Sequence, residues 1–146
     1  KEIENYIYPR VNECFNRMKN ELEARDSRVN FENAMTIDID LKEDKVKAFI
    51  DRETTVVKRG EPRTQQNFAI VVESPAYNLA KIASEIAAQE AEYCYFEFVG
   101  YNVLYPRYQI KKFSLSKTSD IYIIIDKKTE MEMNVATRSC AIPAGI

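Results

Sequence analysis

The sequence contains no histidine and no tryptophan, and only three glycines in 146 residues. Without histidine there is no Ser-His-Asp or Cys-His triad, no imidazole metal ligand and no imidazole proton shuttle. Three scattered glycines, Gly60, Gly100 and Gly145, cannot form a glycine-rich phosphate loop. Uncharged runs such as Asn67–Val72 fall far short of the roughly 20 apolar residues a membrane helix needs. No Asn-x-Ser/Thr sequon is present, so attachment of an N-glycan is not expected.

What is present is an ordinary globular balance, 45% hydrophobic and 30% charged with a formal net charge of −2. A chain of this length reads as a single domain, residues 1–146, able to fold without metal or disulfide. The basic doublets Lys58-Arg59, Lys111-Lys112 and Lys127-Lys128 are isolated. They form no stripe that could displace counterions along a nucleic acid, so no nucleic-acid partner is expected.

Ile3, Ile7, Val11, Cys14, Phe15, Met18 and Leu22 recur at spacings of three and four, predicting an amphipathic helix over residues 3–26. Pro9 should kink it or mark the start of its main part. Strict alternation predicts a strand near 35–41, joined through Lys42-Glu43-Asp44 to a second near 45–57. Residues 58–63, with Gly60 and Pro62, read as a loop. A third strand near 66–72 is apolar at consecutive positions and is expected at the centre of a sheet.

Ser74-Pro75 should open a second helix over 75–92, with Ser74 as N-cap and Pro75 in the first helical position. Its stripe is Leu79, Ile82, Ala83 and Ile86, and Ala80, Ala87, Ala88 and Ala91 offer a small-residue face for close packing. Residues 93–108 are irregular and rich in aromatics. Strands are then expected near 107–115, 121–125 and 130–138, with turns at 117–120 and 126–129 and an irregular tail over 141–146. The predicted fold class is α+β: two amphipathic helices packed on a mainly antiparallel sheet, in the order α-β-β-β-α-β-β-β.

Candidate chemistry is sparse. Asp38, Asp40, Glu43 and Asp44 could attract calcium, but they lack the glycine and spacing of a calcium loop and read as a solvated strand face. Glu53, Glu61, Glu73 and Asp126 could serve as paired carboxylates, yet nothing in the sequence brings two together. Thr54-Thr55 and Thr137-Arg138-Ser139 offer hydroxyls without an activating base. No catalytic, cofactor-binding or metal-binding residue is therefore assigned, no cofactor is expected, and the chain is read as non-enzymatic. Tyr93, Tyr95, Tyr101, Tyr105 and Tyr108 form the candidate interaction surface, since tyrosine suits sites dry at one end and wet at the other. Packing beneath a loop is the structural alternative for these rings. Cys14, Cys94 and Cys140 match no zinc spacing. They can be three buried thiols, or one of three pairings with a thiol left over.

The ordered series of segments resembles a group of uncharacterised, membrane-anchored extracytoplasmic proteins of small-genome archaea. It consists of Ile3–Ile7 through Asn12–Phe15, Met35–Gly60, Asn67–Val72 leading into Leu79–Ile86, and Asp120–Lys128 followed by Met133–Ser139. The resemblance implies a location at the cell surface, with any membrane contact made only by a segment preceding Lys1. It carries no catalytic residues. It also implies an oxidising surrounding, and hence one disulfide among Cys14, Cys94 and Cys140, the pairing open. The partners expected are proteins, either further copies of this chain or other surface proteins. The expected role is a structural or assembly module, with a monomeric ligand-binding or adhesion domain as the alternative.

Overall fold

The structure is a computed structural model that describes residues 1–116 and 119–138. It is a mixed α+β chain, and the described residues form three helices and nine strands in two compact units. Unit 1 comprises residues 1–41 and 46–72, and unit 2 comprises residues 42–45 and everything from Glu73 onward.

Unit 1 opens with helix α1 (Glu2–Glu23), which runs through Pro9 rather than beginning there. A strand absent from the sequence reading follows, β1 (Ser27–Phe31). The hairpin β2 (Thr36–Lys42) and β3 (Lys45–Asp51) is present as expected. The second strand does not continue to residue 57. It stops at Arg52-Glu53, and β4 (Thr54–Lys58) pairs antiparallel with β1 in a different sheet. Residues 58–63 are not simply a loop, because β5 (Glu61–Gln65) pairs with β4 around Arg59-Gly60. Arg59 and Gly60 both have positive φ (54° and 86°), the geometry of a tight hairpin turn. Pro62 is tolerated there because β5 lies at the edge of the sheet order β1-β4-β5.

The largest departure concerns β6 (Phe68–Glu73). Its apolar run predicted a central strand, but it forms the edge of the sheet β2-β3-β6, and Ile70, Val71 and Val72 are exposed. A continuous apolar run reports only that both faces are apolar; it does not say that both are covered. The core of this unit is small. Phe15, Met35 and Ile50 are buried, with Val11, Met18, Phe31, Ile37 and Phe68 half-buried around them. Phe15 meets Phe31 and Phe68 edge to face at 6.0 and 5.3 Å.

Unit 2 begins with α2 (Ala76–Tyr93). Pro75, rather than Ser74, is the N-cap residue, and the Ser74 hydroxyl accepts the Ala76 N–H at 3.3 Å from one position further out. Leu79, Ile82 and Ile86 are buried as the stripe predicted, and the Ala80, Ala87, Ala88 and Ala91 face is exposed. The segment read as irregular contains a third helix, α3 (Phe98–Leu104). The sheet is β7 (Tyr108–Ser116), β8 (Ser119–Asp126) and β9 (Glu132–Arg138), antiparallel with β8 central. Asp120, Tyr122, Ile124 and Asp126 all face the buried side. So Ser119, Asp120 and Asp126, assigned to turns from sequence, belong to the strand. Leu79, Ile82, Ile86, Phe96, Ile110, Tyr122 and Ile124 form one core. The tail predicted over 141–146 and residues 117–118 of the predicted turn lie outside the described residues.

Candidate interaction surface

α3 begins at Glu97, whose Oε1 accepts the N–H groups of Val99 and Gly100, each at 3.1 Å. Its Oε2 accepts the Tyr95 hydroxyl at 2.6 Å. The phenol and the two N–H groups hold the Glu97 carboxyl below the usual range, and the same bond pushes the Tyr95 hydroxyl up. The helix is fixed to β7 by Asn102. Its Oδ1 accepts the Ile110 N–H at 2.7 Å and its Nδ2 donates to the Ile110 carbonyl at 3.0 Å. One side-chain amide thus supplies the donor and acceptor that a neighbouring strand would have offered.

At 100° per residue, Phe98, Tyr101 and Asn102 fall on the arc toward the core. Phe98 and Tyr101 pack there, and Tyr101 lies 5.6 Å from the Phe96 ring. Burial, more than the neighbouring charge of Glu85, pushes the Tyr101 hydroxyl up to about 12. The opposite arc is Val99, Gly100, Val103 and Leu104. It carries no polar side chain, yet Val99, Val103 and Leu104 are 57%, 77% and 74% exposed. An apolar helix face is normally covered inside a protein. Among the described residues this face has no covering element.

The five predicted tyrosines divide accordingly. Tyr93, Tyr95 and Tyr105 are exposed. A hydrogen bond with Glu92 pushes the Tyr93 hydroxyl up. Tyr101 and Tyr108 are half-buried and pack against the core. The Tyr105 ring lies 4.6 Å from that of Tyr101, tilted by 39°. The sequence reading singled out the tyrosines and missed Val99, Val103 and Leu104. The repeat of Val99 and Val103 one turn apart, combined with the absence of charge from Phe98 to Pro106, was the signal available.

The predicted acids go to different places. Asp38 and Glu73 are exposed, Asp40 and Glu53 half-buried. Asp126 is fully buried and forms a two-bond contact with Arg107, at 3.1 Å from Nε to Oδ1 and 2.7 Å from Nη2 to Oδ2. Arg107 also binds Asp44, at 3.0 Å from Nη1 to Oδ2 and through a shorter contact from Nη2 to Oδ1. The guanidinium holds both carboxyls below the usual range. A second polar group lies behind α2, where Glu90, buried in line with Ile86, accepts the hydroxyl of Tyr122. Lys112 Nζ lies 3.4 Å from Glu90 Oε1 and 3.0 Å from Asp120 Oδ2. Burial works against the Lys112 ammonium, but the bonds to Tyr122 and Asp120 outweigh it and keep the pKa above the ordinary lysine value. Such an amine is a poor nucleophile at neutral pH. Burial first, then the bond to Glu90, pushes the Tyr122 hydroxyl up to about 12. Among the described residues no group of three or more Cys, Asp or Glu is placed to hold a metal ion.

In unit 1, Arg52 is buried with its guanidinium 3.9 Å above the Phe31 ring and 5.1 Å from Phe15. Its Nη1 donates to Asn12 Oδ1 at 2.7 Å. An open groove of about 680 Å³ runs between α1 and β6, lined chiefly by Ile7, Val11, Phe15, Met18, Phe68 and Ile70. Cys14, also on this wall, is an exposed free thiol, contrary to the reading of three buried ones. Cys94 is disulfide-bonded, and Cys140 lies outside the described residues. Among the described residues no helix is long and apolar enough to cross a membrane.

No protein family, curated protein or solved structure matches the chain.

Proposed function

We propose that this chain is a non-enzymatic structural module of a cell-surface assembly, located outside the cytoplasm and built from protein–protein contacts. The observation that carries the reading is α3, held rigidly by Glu97 and Asn102 while Val99, Val103 and Leu104 face solvent. Apolar side chains on a fixed, preorganised helix are the material of an interface core. The disulfide at Cys94 suits an oxidising surrounding and so supports the location.

Light scattering on the full chain over a range of concentrations tests the role. Replacing Val103 and Leu104 by Lys should reduce oligomer size while circular dichroism and melting temperature stay unchanged, because both side chains are exposed. Oligomers unaffected by the pair would overturn α3 as the contact. Thiol alkylation tests the redox environment on protein taken from its native cell. Cys14 should label without reduction and Cys94 only after it; Cys94 labelling in unreduced material would refute the oxidising location.

A second reading, a monomeric ligand-binding or adhesion domain, draws on the groove between α1 and β6. It predicts saturable binding of an apolar fluorescent probe, abolished by Ile7→Asp, by a chain that stays monomeric.

A further inference from the structure

We infer that β6 is an assembly edge that adds, antiparallel, to β6 of a second copy across a two-fold axis through Val71. The inference deepens the assembly reading and rests on it, but it uses a different surface.

The edge is open in a way the others are not. β2 carries Asp38, Asp40 and Lys42, and β5 has Pro62 between Glu61 and Arg63. β1 bears Arg28, while β9 begins at Glu132 and ends at Arg138. β7 is capped by the Asn102 amide at Ile110. Charge, proline and a covering side chain are among the usual means of keeping sheet edges apart. β6 has none of them from Phe68 to Val72, and Ile70, Val71 and Val72 are 50%, 61% and 55% exposed.

Geometry selects how a copy would add. The Ser74 N–H donates to the Asp44 carbonyl at 3.0 Å, and Gln66 Nε2 reaches Asp51 Oδ1 at 2.8 Å, so β6 runs antiparallel to β3. Backbone groups alternate sides along a regular strand. With Ser74 turned toward β3, Val72 and Ile70 turn the same way, and Ala69, Val71 and Glu73 direct their N–H and C=O outward. Residues opposed across an antiparallel ladder share a face, so a two-fold axis must pass through a residue and not between residues. Centred on Val71, the ladder opposes Val71 with Val71, Ile70 with Val72 and Ala69 with Glu73, giving about six hydrogen bonds.

The charges permit this pairing. Glu73 is the one ionised side chain of β6, and it meets the methyl group of Ala69. The two Glu73 carboxylates then stand about 14 Å apart along the ladder, beyond the screening length of roughly 10 Å at 0.1 M salt. At the other positions apolar side chains meet apolar side chains, and no like charges are opposed. The contact is small, so dimerisation should depend on concentration.

Sedimentation velocity of the full chain, from about 1 μM to 1 mM as for weak association, provides the test. The wild type should dimerise. Val71→Pro deletes the outward N–H without removing a bond to β3 and should weaken dimerisation at least tenfold, with the secondary structure retained. A second measurement holds even if that variant fails to fold. In a Cys14→Ser background, Val71→Cys should form an inter-subunit disulfide on mild oxidation, since facing Cα atoms about 5.5 Å apart suit a bridge. A dimer that persists in Val71→Pro, or that gives no cross-link in the Val71→Cys variant, overturns the β6 pairing. If that dimer is lost when Val103 and Leu104 become Lys, the assembly reading survives through α3. A wild type monomeric throughout overturns both.

Discussion

The two units meet the same problem, covering apolar surface with few residues, in different ways. Unit 2 lays a regular α2 stripe and the sealed face of β8 together, so seven hydrophobic side chains form one continuous core. Its buried polar groups are collected into contacts, Arg107 with Asp126 and Glu90 with Tyr122 and Lys112. Unit 1 divides six strands between two small sheets and buries Phe15, Met35 and Ile50 around a helix. Its buried cation, Arg52, rests on aromatic rings and an amide oxygen. Dividing a sheet multiplies its edges and thins the core behind each part. In unit 1 the apolar surface left in water lies on β6 and in the α1 groove, and in unit 2 it lies on α3.

By that contrast, unit 1 should be the fragile part. Phe15→Ala, which removes the ring joining Phe31 and Phe68, should cost about 4 kcal/mol. Exchange of unit 1 amides should then rise toward the unfolded rate while unit 2 amides stay protected. Equal loss of protection in both would break the contrast and make the chain one cooperative body.

Arg107→Met sharpens it from the other side. Leaving Asp126 buried without its cation should destabilise unit 2 by about 3 kcal/mol, read by denaturant unfolding at neutral pH. The contact also sets an acid limb. Asp126 titrates lower when folded than unfolded, so its stabilisation is complete above the ordinary Asp pKa of 3.8 and is lost as pH falls below it. The wild type should lose stability below about pH 4, where the unfolded carboxylate takes up its proton. The variant should lose much less, and parallel acid limbs would refute the role of the pair.

The smallest effect concerns the covered edge. Asn102→Ala removes both bonds to Ile110 and should cost about 1–2 kcal/mol. The Ile110 amide should exchange faster while those of β8 do not. Unchanged exchange at Ile110 would mean that packing of Phe98 and Tyr101, rather than the Asn102 amide, protects this edge.

Local pattern was enough for much of the fold. The stripe Leu79-Ile82-Ile86, the alternation of β2 and the existence of β7, β8 and β9 could be read because each is decided within a few residues; the ends of β8 could not. β1 and β5 could not, since their short polar sequences become strands only by pairing with β4. The break at Arg52-Glu53 depends on two separate sheets competing for one chain segment. Of the candidate surface, the tyrosines were legible by type. Their division was not, because Tyr101 and Tyr105 differ only in how far α3 turns before it ends.

The sequence by itself determined the absence of histidine chemistry, the α+β class and the positions of the apolar runs, but not the order of elements, which has six strands before α2 and a third helix after it. Tertiary structure alone decided which of those runs are covered. Phe68–Val72 and Ile121–Ile125 are both continuous apolar segments, yet one is a bare edge and the other a central strand. Hydropathy is a property of each residue, whereas burial depends on what the rest of the chain brings alongside. Helix α2 and two flanking strands come to β8, whereas among the described residues β6 pairs with β3 alone and meets α1 chiefly through Phe68.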